Sequence, residues 1–429
     1  MKLLRYDQPD FAEAVAKAIA SSSLFDAAIE ERVRSIIADV KTRGDAALLK
    51  LTERFDGPRL TAAQLTVTEP TPQVSAALKK AIAAAHKNIA AFSRRSLRKD
   101  WQMRNIQGGR VGEKFDPFQR VGIYIPGGTA PLVSTALMTI TLAKVAGCPE
   151  IAVCTPPARD GSINPNLLYA IRAAGATEIY RLGGAQAVAA LALGTATIKP
   201  VQKIYGPGNA YVVTAKRLLV GHVSIDLLPG PSEVLIIADD SANPAFIAAD
   251  MLAQAEHGSG HERVWVATTS QKILDATQSE IARQLPLLKR REFTEKALEH
   301  SGTFVLVRDL KQAVAIANDF APEHCEVMTR NPAKLVPQIK TAGAIFLGPW
   351  SPTVAGDYLA GPSHTLPTGG AGRSFPGLTV DQFQRRTSVV ELSRASLQKS
   401  LATLEKFAEV EGLGAHAASA RVRFWSAGA

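Results

Sequence analysis

Between Arg120 and Leu347 one pattern recurs: a short β-branched run that ends at Gly or Pro, then an apolar-periodic segment long enough for a helix. The runs fall at 121–125, 151–154, 178–182 and 203–205, and again at 234–238, 264–268, 303–307, 325–328 and 344–347. Strands separated by helix-length segments cannot be hairpins. They require crossovers and therefore parallel neighbours. The chain is predicted to be α/β, with two doubly wound, incomplete Rossmann-like parallel sheets. The second sheet is entered near Gly122 and left near Leu228-Pro-Gly-Pro-Ser232, a cluster that interrupts any regular element.

The flanks read differently. Ile29, Val33, Ile36, Ile37 and Val40 recur at helical spacing, 73–92 is an alanine-rich helix, and beyond Phe375 the strand pattern gives way to an amphipathic helix over 397–420. The expected organisation is a helical N-terminal arm (1–24), a first α/β domain from 25–119 and 233–376, a second from 120–232, and a helical C-terminal tail (377–429).

With 429 residues, 46% of them hydrophobic, the chain can bury more than one core. Its formal charge of +10 is spread thinly, and Arg94-Arg95, Lys289-Arg290-Arg291 and Arg385-Arg386 are the densest clusters. That distribution argues against nucleic-acid and membrane-surface partners and favours phosphate-bearing small molecules. The three cysteines, Cys148, Cys154 and Cys325, have neither CxxC nor structural-zinc spacing. A reducing compartment is expected, and an N-terminus without an apolar core points to the cytoplasm. The most apolar region, 129–147, contains Pro131, threonines and Lys144, and reads as a buried helix.

Ligands of open α/β sheets bind beyond the carboxyl ends of strands. Three glycine-rich turns stand at such ends: Ile125-Pro-Gly-Gly128, Leu182-Gly-Gly-Ala-Gln186 and Tyr205-Gly-Pro-Gly-Asn209. Each would aim backbone N–H groups at an anion such as a pyrophosphate. None completes GxGxxG, because Tyr211 stands at the third glycine position.

The eight histidines fall into two classes. His86, His222, His261 and His300 read as surface or turn residues, as does Glu256. The others stand close in sequence to acids or amides: His257 three residues after Gln254, His324 after Glu323, His364 seven after Asp357, and His416 five after Glu411. Spacing of three on a helix over 244–257 would put Gln254 and His257 on one face. Imidazole with carboxylate or amide oxygen suits zinc, and a Glu-His pair outside the metal shell can move protons.

Taken together, Gly122-Ile-Tyr-Ile-Pro-Gly-Gly128, Gly206-Pro-Gly-Asn209, Leu228-Pro-Gly-Pro-Ser-Glu233, Gln254-Ala-Glu-His257, Ala321-Pro-Glu-His324, Gly361-Pro-Ser-His-Thr-Leu-Pro-Thr-Gly-Gly370 and Glu411-Gly-Leu-Gly-Ala-His416 span nearly the whole chain in this order. The sequence closely resembles the histidinol dehydrogenase family. Ser363 and Ala371-Gly-Arg373 depart from the residues common in that family.

The resemblance implies oxidation of L-histidinol to L-histidine through L-histidinaldehyde, with two NAD and one zinc per subunit. It implies zinc ligands Gln254, His257, Asp357 and His416, and proton-transfer residues Glu323 and His324. Substrate contacts would come from Ser232, His364 and Glu411 beside the metal ligands and the proton-transfer pair. NAD contacts would come from Tyr124, Gln186 and Asn209. It further implies a homodimer in which the tail completes the neighbouring subunit's site. No step needs a covalent thiol adduct, so the cysteines are expected to be structural.

Other readings stay open on the residues: a related zinc and NAD dehydrogenase for another small alcohol, a zinc hydrolase with Glu323 activating water, and a silent binding protein. The hydrolase would leave the glycine turns and Gln186 without a role.

Overall fold

A run such as Val234-Leu-Ile-Ile-Ala238 is apolar on both faces of a strand, so it needs helices above and below it. The computed structural model, which describes residues 1–20, 26–127 and 131–425, meets that need in two parallel sheets. Both lie in one compact unit, Met1–Ser96 with Phe118–Phe383; a second unit comprises Leu97–Pro117 and Gln384–Ala429. In chain order the strands are β1 (Lys2–Arg5), β2 (Trp101–Arg104), β3 (Arg110–Pro117), β4 (Arg120–Tyr124), β5 (Glu150–Thr155), β6 (Glu178–Arg181) and β7 (Lys203–Tyr205). They continue as β8 (Ser224–Ile225), β9 (Glu233–Ala238), β10 (Arg263–Thr268), β11 (Gly302–Leu306), β12 (His324–Met328), β13 (Ala344–Leu347) and β14 (Gln384–Glu391).

The larger sheet of the first unit has six strands in the order β1-β11-β10-β9-β12-β13, and the smaller has five in the order β6-β5-β4-β7-β8. All their pairings are parallel. Each of the nine expected runs became a strand within a residue or so of its expected bounds. Val133–Ala146, apolar on nearly every side, is the buried helix expected there. Gly128 and the start of that expected segment lie outside the described residues. Among the described residues, no helix is long and apolar enough to cross a membrane.

Several expectations are corrected. The N-terminal arm is not wholly helical: β1 adds to the edge of the larger sheet beside β11, ahead of a helix at Phe11–Ala20. Four residues are too few to show a period. Residues 21–24 of that arm are outside the described set. The helical stretch after Asp26 is two helices, Ala27–Arg43 and Asp45–Phe55, broken where Gly44 takes φ +54°. Their apolar faces, with Val33, Ile36, Val40, Leu48 and Leu51, share a core with Ala152, Tyr180 and Val188 of the smaller sheet's domain, rather than joining the larger sheet. Periodicity identifies the face to be buried and leaves open which sheet will bury it.

The tail also carries a strand. In the second unit β14 and β2 pair antiparallel with β3. Gln384-Arg-Arg-Thr-Ser-Val-Val-Glu391 lacks hydrophobic alternation, and its pairing is set by the partner strand. Trp101 Nε1 donates to Glu113 at 2.9 Å across the β2–β3 ladder. Helices Arg394–Val410 and Gly414–Arg421 follow β14.

Within the first unit, the segment between Ile225 and Glu233 takes the chain from the carboxyl end of β8 straight to the amino end of β9. In the smaller sheet strand order reverses between β4 and β7, so their carboxyl ends form the crevice where such sheets bind ligands. Gly206, just past β7, comes so close to β4 that a Cβ there would lie 2.0 Å from the Tyr124 carbonyl oxygen. A fully buried ion pair fixes it. Lys216 Nζ donates to the Gly206 carbonyl at 3.0 Å and pairs with Asp226, whose Oδ2 accepts the Gly206 N–H at 2.8 Å.

Lys216→Met would strand the Asp226 carboxylate in the interior and is expected to cost about 3–5 kcal/mol. Removing exposed Arg34 from its pair with Glu30 should cost far less, since water screens that pair. Urea-unfolding midpoints of the two variants compare these losses.

Candidate active site

Neighbouring strands β9 and β12 of the larger sheet run in register with His324 beside Val234. Glu323 and His324, the pair expected to transfer protons, sit where β12 begins. The backbone of Glu233 binds both members: its N–H donates to Glu323 Oε2 at 2.9 Å, and its carbonyl lies 3.0 Å from His324 Nδ1. A carbonyl only accepts, so Nδ1 carries a proton and Nε2 is the ring face turned elsewhere. That Nε2 lies 3.5 Å from Asp357 Oδ1, too far for a strong hydrogen bond.

Placement at the amino ends of β9 and β12 departs from the general expectation that ligands gather at carboxyl ends. Ala321 shows the local cost. It ends helix Leu310–Phe320 at φ +51°, alone among the described non-glycine residues in having positive φ, and Pro322 then turns the chain into Glu323. A side chain in that region is strained by about 1–2 kcal/mol.

Asp357, in the short helix Thr353–Tyr358, is the electrostatic centre. Burial works against its charge, yet His324, His364 and His257 outweigh burial and hold its carboxyl below the ordinary range. Burial raises the Glu323 carboxyl to about 7. Burial alone would lower His324, but the Glu323 and Asp357 carboxylates overcome it and raise the imidazole to about 9. His364 responds oppositely: burial outweighs Asp357 and pushes it down to about 4, and its Nε2 lies 3.2 Å from the Thr135 hydroxyl. His257 is also lowered, chiefly by burial.

Gln254 is 2% exposed on helix Pro244–Ala255, and its Nε2 has no hydrogen-bond partner. That helix stops at Ala255, so His257 is placed by the turn beyond it rather than by a continuing helical face. Ser232 and His257 border a cavity of about 620 Å³ at the amino ends of the larger sheet's strands. Glu411 and His416 belong to the second unit. There Glu411 caps helix Arg394–Val410, His416 lies in the first turn of Gly414–Arg421, and both are exposed.

Among the described residues, no three His, Cys, Asp or Glu side chains by themselves form a metal cage. The residue types nevertheless suit zinc: a buried amide with an oxygen to offer, an imidazole kept neutral, and a carboxylate kept ionised.

Three supporting residues escaped the sequence reading. Glu233 is buried, its carboxyl raised by burial to about 7, with Arg263 as its ion-pair partner. Asp250 and Glu326 lie close together in the interior, and burial raises both carboxyls, with the charge of Asp250 pushing Glu326 further up. Glu326 also accepts the Thr353 N–H at 2.9 Å, anchoring the helix that carries Asp357. Spacing held the signal: Glu326 is two residues from His324 on a strand, and Asp250 is one turn before Gln254 on a helix.

At the smaller sheet, Tyr124, Gln186 and Asn209 all border a cavity of about 860 Å³. Tyr124 Oη accepts the Gly184 N–H at 3.1 Å, which joins two of the glycine turns. Asn209 Oδ1 caps its helix by accepting the N–H groups of Tyr211 and Val212, and its amide N–H donors are the chemistry left for a ligand. Asn209 borders the cavity at the larger sheet as well, so one residue touches both spaces. Apolar walls with a few polar groups, in this volume range, fit a dinucleotide. The cysteines are buried, and burial raises the thiols of Cys148 and Cys325 to about 12 and Cys154 further still, so none is poised as a thiolate nucleophile.

The profile of histidinol dehydrogenase matches residues 20–424. Histidinol dehydrogenase of Heliobacterium mobile is 44% identical over 410 residues, covering 94% of this chain and 95% of its own. That of a Synechococcus species is 47% identical over 399 residues, 92% of each chain. The crystal structure of the Elizabethkingia anophelis histidinol dehydrogenase superposes with a TM-score of 0.94 at 36% identity, over 99% of this chain and 98% of that one. An acetylating aldehyde dehydrogenase of Geobacillus thermoglucosidasius, at TM-score 0.51 and 15% identity, covering 89% of this chain and 95% of its own, shares the fold alone. The motifs, the two-sheet fold and these matches agree: the chain belongs to the histidinol dehydrogenase family, NAD-dependent oxidoreductases of histidine biosynthesis.

Proposed function

We propose that the protein oxidises L-histidinol to L-histidine through L-histidinaldehyde, a zinc-dependent four-electron reaction in which two NAD are reduced in turn. The observation that carries this reading is the oriented Glu323–His324 pair beside an ionised Asp357. Gln254, His257 and Asp357 would hold the metal, with His416 supplied by a second copy of the chain. When bound, zinc supplies a Lewis acid for the imidazole and amine of the substrate. NAD, held by Tyr124, Gln186 and Asn209, supplies the hydride acceptor in each half-reaction.

The chain's own groups then divide the proton work. With Asp357 bound to zinc, part of the negative charge that raises His324 is withdrawn, and the deprotonated Nε2 then takes the hydroxyl proton as the first hydride leaves, while the Glu233 carbonyl holds the ring's other nitrogen. Glu323, near neutrality through burial, removes a proton from water as it adds to the aldehyde. The His324 imidazolium returns its proton to the carbonyl oxygen as the hydrate forms, so it is free to accept the hydrate's proton as the second hydride leaves. Ser232, His364 and Glu411 contact the substrate. His364, neutral through burial, orients rather than titrates.

A homodimer is supported by the second unit, where Phe407 is 64% exposed, Val410 74% and Val390 68%, an apolar surface suited to burial against another copy. Residues 120–232, with the glycine turns, act as the NAD domain. A cytoplasmic location is supported by the biosynthetic role of the family and by three free cysteines, whose thiols would stay reduced there.

Metal-replete protein given NAD and L-histidinol should form two reduced NAD per histidine, and exhaustive chelation should abolish turnover until zinc is restored. Turnover of a different alcohol in place of histidinol would redirect the reading to a related dehydrogenase. Glu323→Gln and His324→Ala should each lower kcat by about 100- to 10,000-fold. They should separate in a single turnover: Glu323→Gln still forms the first reduced NAD and stalls at the aldehyde, whereas His324→Ala slows both hydride steps. His324→Ala and His416→Ala proteins, mixed to exchange subunits, should regain about a quarter of wild-type activity, since one site of each hybrid dimer is intact. Exchange without recovery would contradict a shared site.

A further inference from the structure

Asp56 is a carboxylate that the proposed reaction leaves without a task. It follows helix Asp45–Phe55 and borders the same 860 Å³ cavity as Tyr124, Gln186 and Asn209. Its side chain packs on the turn after β6, where a Cβ added to Gly183 would lie 3.3 Å from both carboxylate oxygens. Oδ2 is buried with no hydrogen-bond partner. Burial pushes the carboxyl up to about 6. An acceptor enclosed without a donor is costly in the empty protein, and a ligand that brings donors would recover that cost.

Topology indicates which part of a dinucleotide would meet it. Asn209 follows β7, and its position on both cavities marks the end of the cofactor nearest the reacting residues. Asp56 lies on the opposite side of β4. It touches the turn after β6, and Gly57 beside it approaches Arg159 in the loop after β5. The far half of the cofactor, its adenosine, therefore belongs at Asp56. A ribose there presents two adjacent hydroxyls, a pair of neutral donors that one carboxylate can accept together. A phosphate on the 2′ oxygen would remove one donor and set like charge against the carboxylate.

We propose that Asp56 binds the vicinal hydroxyls of the adenosine ribose and thereby makes this enzyme select NAD over its 2′-phosphorylated form. The inference rests on the reading that places NAD in the smaller sheet's cavity.

Isothermal titration calorimetry of the zinc-loaded dimer without histidinol tests it through binding alone, using NAD, NADP and 2′-deoxy-NAD (deoxy at the adenosine ribose). The wild type should bind NAD about 100-fold more tightly than NADP, and 2′-deoxy-NAD about 10-fold less tightly than NAD. Asp56→Asn should weaken NAD by about 10-fold, weaken 2′-deoxy-NAD by less because only its 3′ hydroxyl still meets the carboxylate, and bring NAD and NADP within a few-fold of each other. The deoxy ligand probes the contact on unaltered protein, so the test does not depend on the variant folding well. Equal loss of NAD and NADP in Asp56→Asn, or wild-type protein that binds 2′-deoxy-NAD as tightly as NAD, would overturn the proposal. So would wild-type protein that takes NADP as well as NAD, with Arg159 receiving the phosphate. Gln186→Ala and Asn209→Ala separate the two layers. If both weaken NAD while Asp56→Asn leaves the NAD-to-NADP ratio intact, only the role of Asp56 fails. If neither affects NAD, the cavity assignment fails with it.

Discussion

The backbone of one residue, Glu233, holds Glu323 and His324, the proposed acid/base pair, in place. Its N–H binds the Glu323 carboxylate and its carbonyl faces the His324 ring. Main-chain groups at the start of a central strand move little, because neighbouring strands on both sides fix them; β9 has β10 on one side and β12 on the other. Two flexible side chains thus acquire the precision of the sheet. The Asp250–Glu326 pair extends that support to the helices carrying Gln254 and Asp357. Catalytic groups held to within a fraction of an ångström depend on such backing.

The same geometry explains how two sheets with separate cores act together. The short passage from β8 to β9 brings the carboxyl ends of the smaller sheet to the amino ends of the larger one. A dinucleotide crevice forms at carboxyl ends through glycine turns and helix N-termini. The proposed proton-transfer site needs no helix dipole, and its place at the amino ends of β9 and β12 would turn it towards a cofactor held by the smaller sheet. Asn209, which borders both cavities, is where the two spaces meet. The buried Lys216–Asp226 pair matters for this reason: it fixes the glycine turn that leads into Asn209.

Charge at the site is arranged by unequal burial of similar groups. Asp357 stays ionised chiefly because the raised His324 imidazole lies beside it, whereas Glu323, more deeply enclosed, rises towards neutrality. His324 and His364 both feel Asp357, yet one is raised and the other depressed, because only His324 also has Glu323 beside it. Identical side chains therefore titrate in opposite directions, as the different roles proposed for them require. No spacing rule distinguishes them.

Much of this was legible in the amino-acid order. The nine interior strands, the buried helix at Val133–Ala146 and the glycine turns follow from local hydrophobic runs and breaker residues, which act over a few positions. The Glu323–His324 pair and the paired His and acid spacings were visible for the same reason. What the order did not reveal are features whose energy comes from distant partners. β1 and β14 are strands because β11 and β3 pair with them, and the faces of Ala27–Arg43 and Asp45–Phe55 were free to join either sheet. The tasks of Glu233, Asp250, Glu326 and Asp56 arise only when buried carboxyls meet particular N–H groups or find no donor at all. Local sequence sets propensity and pattern, while desolvation and pairing across the fold are properties of the assembled interior.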